Sequence, residues 1–389
     1  MMHIGCATYS AHQVVPTPIV QAKEEIPEEA LLDVGIEVFE SGELPEEEAK
    51  DQGTNFEIRK AESHFIPYHL KNTLQQSSHW GAVRVVPAGT DQVDLLVKGE
   101  IIESNGEHLV LKIEVIDATG NTWMEKIYEE KATPALYNDN IAGQRDAYQA
   151  LYNTIANDMA ALKRQLNAYD IRQIRTISKL KFAADFAPEI FGDYLGENAK
   201  GITTINRIPA DNDPFMARLL RIRERDHMYV DTLNEYYEAF YNEMWPDYEN
   251  WRKNNLTEQT ALREMKRSAY ARMAGGALMM ALAIALGGEV DNTALLNTMV
   301  FVGGAVIING INISKQAEIH AMAVQELSES FGNEMKPVVM EFQGKEYELS
   351  GSAEEQYAHW RELLRKIYYA ETGFGPDPST GDGGRDTSE

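Results

Sequence analysis

The chain has 389 residues, with 61 acidic side chains against 36 basic ones and a formal net charge of −25. That balance argues against general binding to nucleic acid, whose phosphates need a basic surface, and it points to partner surfaces that are basic or neutral. A single cysteine, Cys6, excludes internal disulfides and a cysteine metal cluster, and the length allows two or three domains of ordinary size.

In chain order, Ile4-Gly5-Cys6-Ala7 comes first. It resembles the end of a bacterial lipobox, in which a small residue precedes the cysteine that is lipidated. The resemblance implies lipidation at Cys6, and Ala7 after it resembles outer-membrane sorting in Gram-negative bacteria. On this reading Met1-Met2-His3 is the tail of a longer signal with a basic start and an apolar run. Thr8 to Ala30 carries Pro16, Pro18 and Pro27 with little periodicity, so residues 1–30 read as an anchor and an acidic tether. Between Lys23 and Glu57 there are 13 Asp and Glu against two Lys, a solvated lead-in.

Residues 31–166 read as one α+β domain. Val34–Phe39 is a short apolar strand. Ile58–Ser77 has Ala61, Phe65, Leu70 and Leu74 at helical spacing, with Pro67 either kinking that helix or starting its main part. Trp80–Val86 is a second strand, stopped by Pro87. Leu95, Val97 and Ile101 alternate with Lys98 and Glu100, and Leu109, Leu111, Ile113 and Val115 alternate with Lys112 and Glu114. Ser104-Asn105-Gly106 between them is a hairpin turn, because Asn-Gly accepts positive φ. Asp117-Ala118-Thr119-Gly120 turns into a further strand, Thr122–Lys131. Tyr148, Leu151, Ile155, Met159, Leu162 and Leu166 mark a closing amphipathic helix.

The order strand, helix, strand, three-stranded meander, helix, together with Val115-Ile116-Asp117-Ala118-Thr119-Gly120 followed by Trp123, resembles a periplasmic domain of bacterial envelope lipoproteins. The group includes the activators of penicillin-binding proteins, the curli secretion lipoprotein and the N-terminal domain of the Tol translocation protein. The resemblance spans about 130 residues (31–166). It implies a non-catalytic module that binds or assembles proteins in the periplasm.

Residues 167–272 read as a helical domain divided by Pro188, Pro209 and Pro214. Asp213-Pro214 starts a long helix with the stripe Phe215, Leu219, Ile222, Tyr229, Leu233, Tyr236, Phe240 and Met244. Pro246 is expected to end or bend it, and Leu256-Thr257-Glu258 to open another. Asp226 falls on the apolar stripe and is expected to pair with an arginine. The aromatic run from Tyr236 to Trp251 is expected to pack in the core and to offer one partner face.

Residues 273–314 stand apart, because in 42 residues only Glu289 and Asp291 are charged. They read as two apolar helices joined by a polar turn at Gly287–Asn292. The first, Met273–Gly288, is roughly 24 Å long, short of the ~30 Å hydrocarbon core. The second is interrupted by Asn297, Asn309 and Asn312. Gly275, Gly276, Gly303 and Gly304 remove side chains and let helices approach closely. A hairpin apolar all round is buried either in protein, at the centre of a helical domain or oligomer, or in lipid. Arg263, Lys266, Arg267 and Arg272 before it and Lys315 after it place both ends on one side.

In 315–372 the pattern predicts an amphipathic helix at Lys315–Phe331, a small hairpin of Val338–Phe342 with Glu346–Leu349, and a last helix at Ala353–Tyr369. Residues 373–389 are low-complexity and expected to be disordered. His64 and His69 flank Pro67 without metal-ligand spacing. Gly287-Gly288 and Gly303-Gly304 lack the Lys-Ser/Thr of a phosphate loop, and no GxSxG occurs. No catalytic residue, metal or cofactor is expected. The fold class expected is therefore an α+β N-terminal domain, then a mainly α-helical domain with an apolar Gly-rich helical hairpin. The expected function is that of a non-enzymatic structural or assembly lipoprotein, lipid-anchored at the outer membrane and facing the periplasm. It would bind envelope proteins through the 31–166 module and oligomerise or contact membrane through 273–314. The alternatives are a subunit of a ring-shaped outer-membrane secretion or transport pore, and a hydrolase of envelope polymers.

Overall fold

A computed structural model describes residues 17–42, 56–90, 92–137, 146–285, 319–329, 338–342 and 345–373. The first unit is a five-stranded sheet. Strand β1 (Val34–Glu37) is followed by helix α1 (Phe56–Ser77) and strand β2 (Val83–Val86). Strands β3 (Leu95–Ser104), β4 (His108–Asp117) and β5 (Thr122–Lys131) form an antiparallel meander, and the spatial order is β2-β1-β3-β4-β5. β1 runs parallel to both its neighbours.

Alternation decides which face is inside. Leu109, Leu111, Ile113 and Val115 of β4 are buried, while Val110, Lys112, Glu114 and Ile116 remain partly open. The buried face packs against α1 and α2 (Gln149–Lys163). Each large apolar side chain so buried contributes about 1.5–3 kcal/mol. Pro67 lies inside a continuous α1. Lacking an N–H, it leaves the Ser63 carbonyl without its helical donor, and Phe39 at the end of β1 donates its backbone N–H there at 2.9 Å. The proline thus fastens strand to helix.

Within the expected tether, residues 17–22 are docked. Asn153 and Asn157 of α2 donate to the carbonyls of Thr17 and Pro18, and Val20 donates its N–H to Asn157 at 2.7 Å. Proline-rich extended chain leaves its carbonyls free for such donors.

Helix α3 (Ala168–Phe186) starts with a capping box between Asn167 and Asp170, and a short helix α4 (Pro188–Phe191) follows. A small hairpin, β6 (Leu195–Glu197) with β7 (Thr203–Ile205), was not anticipated, because three-residue strands carry too little alternation to register. Helix α5 (Pro214–Ala285) begins where Asp213 accepts from the N–H groups of Phe215 and Met216. Leu256-Thr257-Glu258 opens no new helix, contrary to expectation, and of the two outcomes expected at Pro246 the helix end does not occur; 72 residues are continuous. The hydrogen bond that Pro246 cannot make is outweighed by the burial of Met244, Tyr248 and Trp251 around it.

A helical segment α6 (319–329), the hairpin β8 (Val338–Phe342) with β9 (Lys345–Leu349), and helix α7 (Ala353–Thr372) complete the described chain. Ser352 and Glu355 form a capping box on α7, and Gly373 ends it at φ +72°.

The architecture is a sheet-containing N-terminal region followed by helices. Helix α5 runs through two cores. Phe240, Met244, Tyr248, Trp251 and Leu256 join the core of the sheet unit, while Leu219, Ile222, Tyr229, Leu233 and Tyr237 pack with α3, α4 and α7. Gly275 and Gly276 lie in the α5 backbone. Cys6, Gly303, Gly304, the turn at Gly287–Asn292 and residues 374–389 lie outside the described residues. Among the described residues no helix is long and apolar enough to cross a membrane.

Candidate functional site

The junction between α5 and the sheet unit concentrates the polar chemistry of the chain. β2 is an edge strand, and α5 closes it. The Asn234 side chain accepts from the Val85 N–H at 2.9 Å and donates to the Val85 carbonyl at 2.9 Å, standing in for a neighbouring strand. Next to it, Arg84 donates from Nε and Nη2 to the two carboxylate oxygens of Asp231 at 2.6 and 3.0 Å. An open cleft of about 240 Å³ lies here, with Lys71, Gln75, Arg84, Asp231, Glu235 and Glu238 among its lining. Burial lowers the Lys71 pKa, while Glu238 and Asp231 oppose that shift. Both charge signs face one opening, which suits recognition of a polar segment rather than an apolar ligand.

Deeper along α5 the aromatic run packs on α1. Phe65 stacks on Tyr241 with ring centroids 4.5 Å apart and meets Tyr248 at 4.7 Å. His69 is buried, and desolvation lowers its pKa, so it is neutral. Its Nε2 donates to Gln149 Oε1 at 2.9 Å, and its Nδ1 accepts from the Tyr241 hydroxyl at 2.7 Å. That tautomer follows because the Gln149 amide nitrogen is already directed at Thr73 and Asn153.

Two buried acids lie below. Glu62 is fully buried and accepts from the Tyr248 hydroxyl at 2.7 Å and from Ser104 Oγ at 2.5 Å. Burial raises its pKa against the opposing charge of Arg59. Asp146 pairs with Arg252 at 2.7 Å, both side chains being buried. Burial pushes the Asp146 carboxyl up, but Arg252, with the Tyr148 N–H, outweighs it and holds it below the usual range. The Arg252 guanidinium also lies 4.4 Å from the Tyr248 ring centroid.

The β3–β4 turn meets the same point of α5. Gly106 has φ +79°, and a Cβ there would stand 2.4 Å from the Arg252 carbonyl oxygen. Asn255 donates to the Asn105 carbonyl at 2.7 Å, and the Tyr137 hydroxyl donates to the Gly106 carbonyl at 2.7 Å.

Toward the start of α5, Asp226 accepts from Arg361 Nη1 at 3.1 Å and from the Tyr357 hydroxyl at 3.2 Å. Arg361 also reaches Asp185 at 2.5 Å and Gln92 at 2.8 Å, and Arg365 adds a contact to Asp185 at 3.0 Å. The arginine expected for Asp226 is therefore present, supplied by α7. An acid on an apolar stripe announces a partner, but its sequence position is unreadable when it lies 135 residues away.

Of the residues singled out in sequence, the structure gathers Asp226, His64, His69 and the aromatic run along α5. It does not gather Gly275 and Gly276 with them, since these stand further along the helix. Asn234, Arg252, Asp146 and Glu62 were missed. Only polar residue types among otherwise apolar neighbours could have flagged them. Comparisons with protein-family models, with curated proteins and with solved structures find no match to this chain, so the roles assigned rest on geometry.

Proposed function

We propose that the protein is a non-enzymatic assembly lipoprotein of the Gram-negative envelope. In this reading it is anchored by lipid on Cys6 and faces the periplasm, and it self-associates or contacts membrane through 273–314. The observation that carries the reading is the continuity of α5. One unbroken helix is clamped into both cores by Asn234, Arg252 and Asp226 and then runs into the apolar stretch as far as Ala285. A continuous helix makes the orientation of the apolar stretch depend on the body, as an assembly element requires. The buried ionisable groups at the junction have partners inside the protein, which fits a clamp better than a reaction centre. Other envelope proteins would dock at the mixed-charge cleft. Metabolic labelling with a palmitate analogue tests the anchoring. Label on the native gene product and none on Cys6→Ser supports the reading, and equal label on both, or none on either, overturns it.

A further inference from the structure

Strand β5 is the outer edge of the sheet away from α5, and among the described residues no strand lies beyond it. It is ten residues long, contains no proline and exposes Glu125, Ile127, Glu129 and Lys131 by 56–64%. Natural proteins rarely leave so long an edge with unpaired N–H and C=O groups unless something adds to it. The occupant is indicated by the order of charges, Glu125-Lys126-Ile127-Tyr128-Glu129-Glu130-Lys131.

We propose that β5 pairs antiparallel with β5 of a second copy, about a two-fold axis at Tyr128, making one continuous ten-stranded sheet. A two-fold normal to the sheet must pair residues of equal parity, because cross-strand neighbours share a face. Centred on Tyr128, it sets Glu125 opposite the second copy's lysine at 131 and Lys126 opposite its glutamate at 130. Each pair occurs twice. Centred on Ile127 it would set Glu125 against glutamate at 129, and centred on Glu129 it would set Lys126 against alanine at 132. The Tyr128 register alone sets two kinds of opposite-charge pair across the strip; centred on Glu130, only Glu129 would meet a lysine, at 131, and Glu130 would face its own counterpart.

The local state of these groups fits that pairing. Glu125 and Lys126 are in exposed ion pairs, to Lys112 at 2.8 Å and Asp158 at 2.7 Å, and such pairs are weak and exchange readily. Lys131 reaches the buried Glu107 at 3.0 Å, but Glu107 keeps Arg263 at 2.6 Å if Lys131 turns outward. Glu130 is half-buried beside no cation among the described residues, and burial pushes its carboxyl up. A lysine from the second copy would supply the missing charge. A stable dimer buries ~800 Å² per partner, and a seam of single edge strands rests mainly on backbone hydrogen bonds, so pairing is expected to depend on concentration. The proposal stands apart from the apolar hairpin and from Cys6.

The test uses the full chain in detergent, as an equal mixture of unlabelled and ¹⁵N-labelled protein treated with a carbodiimide. Mixed-isotope amide cross-links between residues 125 and 131 are expected. Glu125→Lys alone and Lys131→Glu alone should each weaken association through β5 roughly tenfold, measured as loss of mixed-isotope cross-links from an adjacent Lys126–Glu130 pair. Glu125→Lys with Lys131→Glu should restore it, although the double change sets like charges beside Lys112 and Glu107 within each copy. Circular dichroism checks that all variants fold. Absence of mixed-isotope links in the native chain, links from β5 only to another segment of the same chain, or a double variant no better than the singles would overturn the proposal.

Discussion

Asn234 of the long helix and Val85 of the edge strand exchange two hydrogen bonds, both 2.9 Å, with Asn234 buried. Replacing Asn234 by Leu keeps the volume and orphans one N–H and one C=O. Each buried backbone group left unpaired costs about 1–3 kcal/mol. The denaturation midpoint of Asn234→Leu should fall accordingly, and hydrogen exchange at Val85 should accelerate by a similar free energy. Unchanged exchange at Val85 would show that the strand does not depend on the helix.

Gly106 is constrained twice, by φ +79° and by the Arg252 carbonyl, which would lie 2.4 Å from a Cβ. Gly106→Ala should lose about 1–2 kcal/mol from the backbone conformation and a further ~1–3 kcal/mol from the collision. Gly120 has φ +85° with its nearest atom at 3.8 Å, so Gly120→Ala should show the first loss without the second. Equal destabilisation by the two changes in a denaturant titration would mean that the turn does not press on the helix.

Most of the sheet was readable because its signals are local. The alternation Leu109, Leu111, Ile113 and Val115 names the buried face, and Asn105-Gly106 names the turn. The acid at 226 announced a partner, and the last helix was expected at Ala353–Tyr369. What stayed hidden depends on partners far along the chain. Proline at 246 reads as a helix end, and only burial on both sides of it keeps the helix whole. Asn234 looks like an ordinary polar residue until β2 is seen to be an edge. Arg252 looks like a solvated charge until Asp146 lies 2.7 Å away.

Arg361 binds Asp226 at 3.1 Å and Asp185 at 2.5 Å, with Asp226 buried. Arg361→Leu should cost about 3–5 kcal/mol, because it leaves the Asp226 charge uncompensated. Asp226→Leu combined with Arg361→Leu should recover most of that loss. Limited proteolysis should then release Ala353–Thr372 faster from the single variant than from the double one. Similar rates for both would place the stabilisation elsewhere.

His227 has its pKa lowered to about 4 by burial first and by Arg223 and Arg84 next, with Asp33 and Asp231 opposing. A folded-state pKa below the unfolded value of about 6.5 means that the unfolded chain takes up the proton first. The stability from this group is present above pH ~6.5 and is lost as the pH falls toward 4. Between pH 7 and pH 5 it should account for about 2 kcal/mol of lost stability. His64, His69 and His79 shift in the same direction, whereas Glu62, with its pKa raised, contributes at low pH and loses that contribution as the pH rises. His227→Gln should therefore narrow the difference in unfolding free energy between pH 7 and pH 5. An unaltered difference would show that His227 titrates normally in the folded protein.

In the proposed function the long helix carries an apolar, glycine-bearing stretch from a clamped body into an assembly. Light scattering of the purified full chain in detergent, native against Gly304→Leu, tests this most directly. On that proposal helices meet closely at Gly303-Gly304, so a leucine there would overpack each repeated contact at a cost of ~1–3 kcal/mol. The predicted result is an oligomer in the native protein that shrinks or aggregates in the variant, while the circular dichroism of the body is retained. A closed ring of many subunits in the native protein would mark a pore subunit. An oligomer mass and melting temperature unchanged by Gly304→Leu would contradict the account, because the glycines would then touch nothing and the stretch would serve only as a membrane anchor.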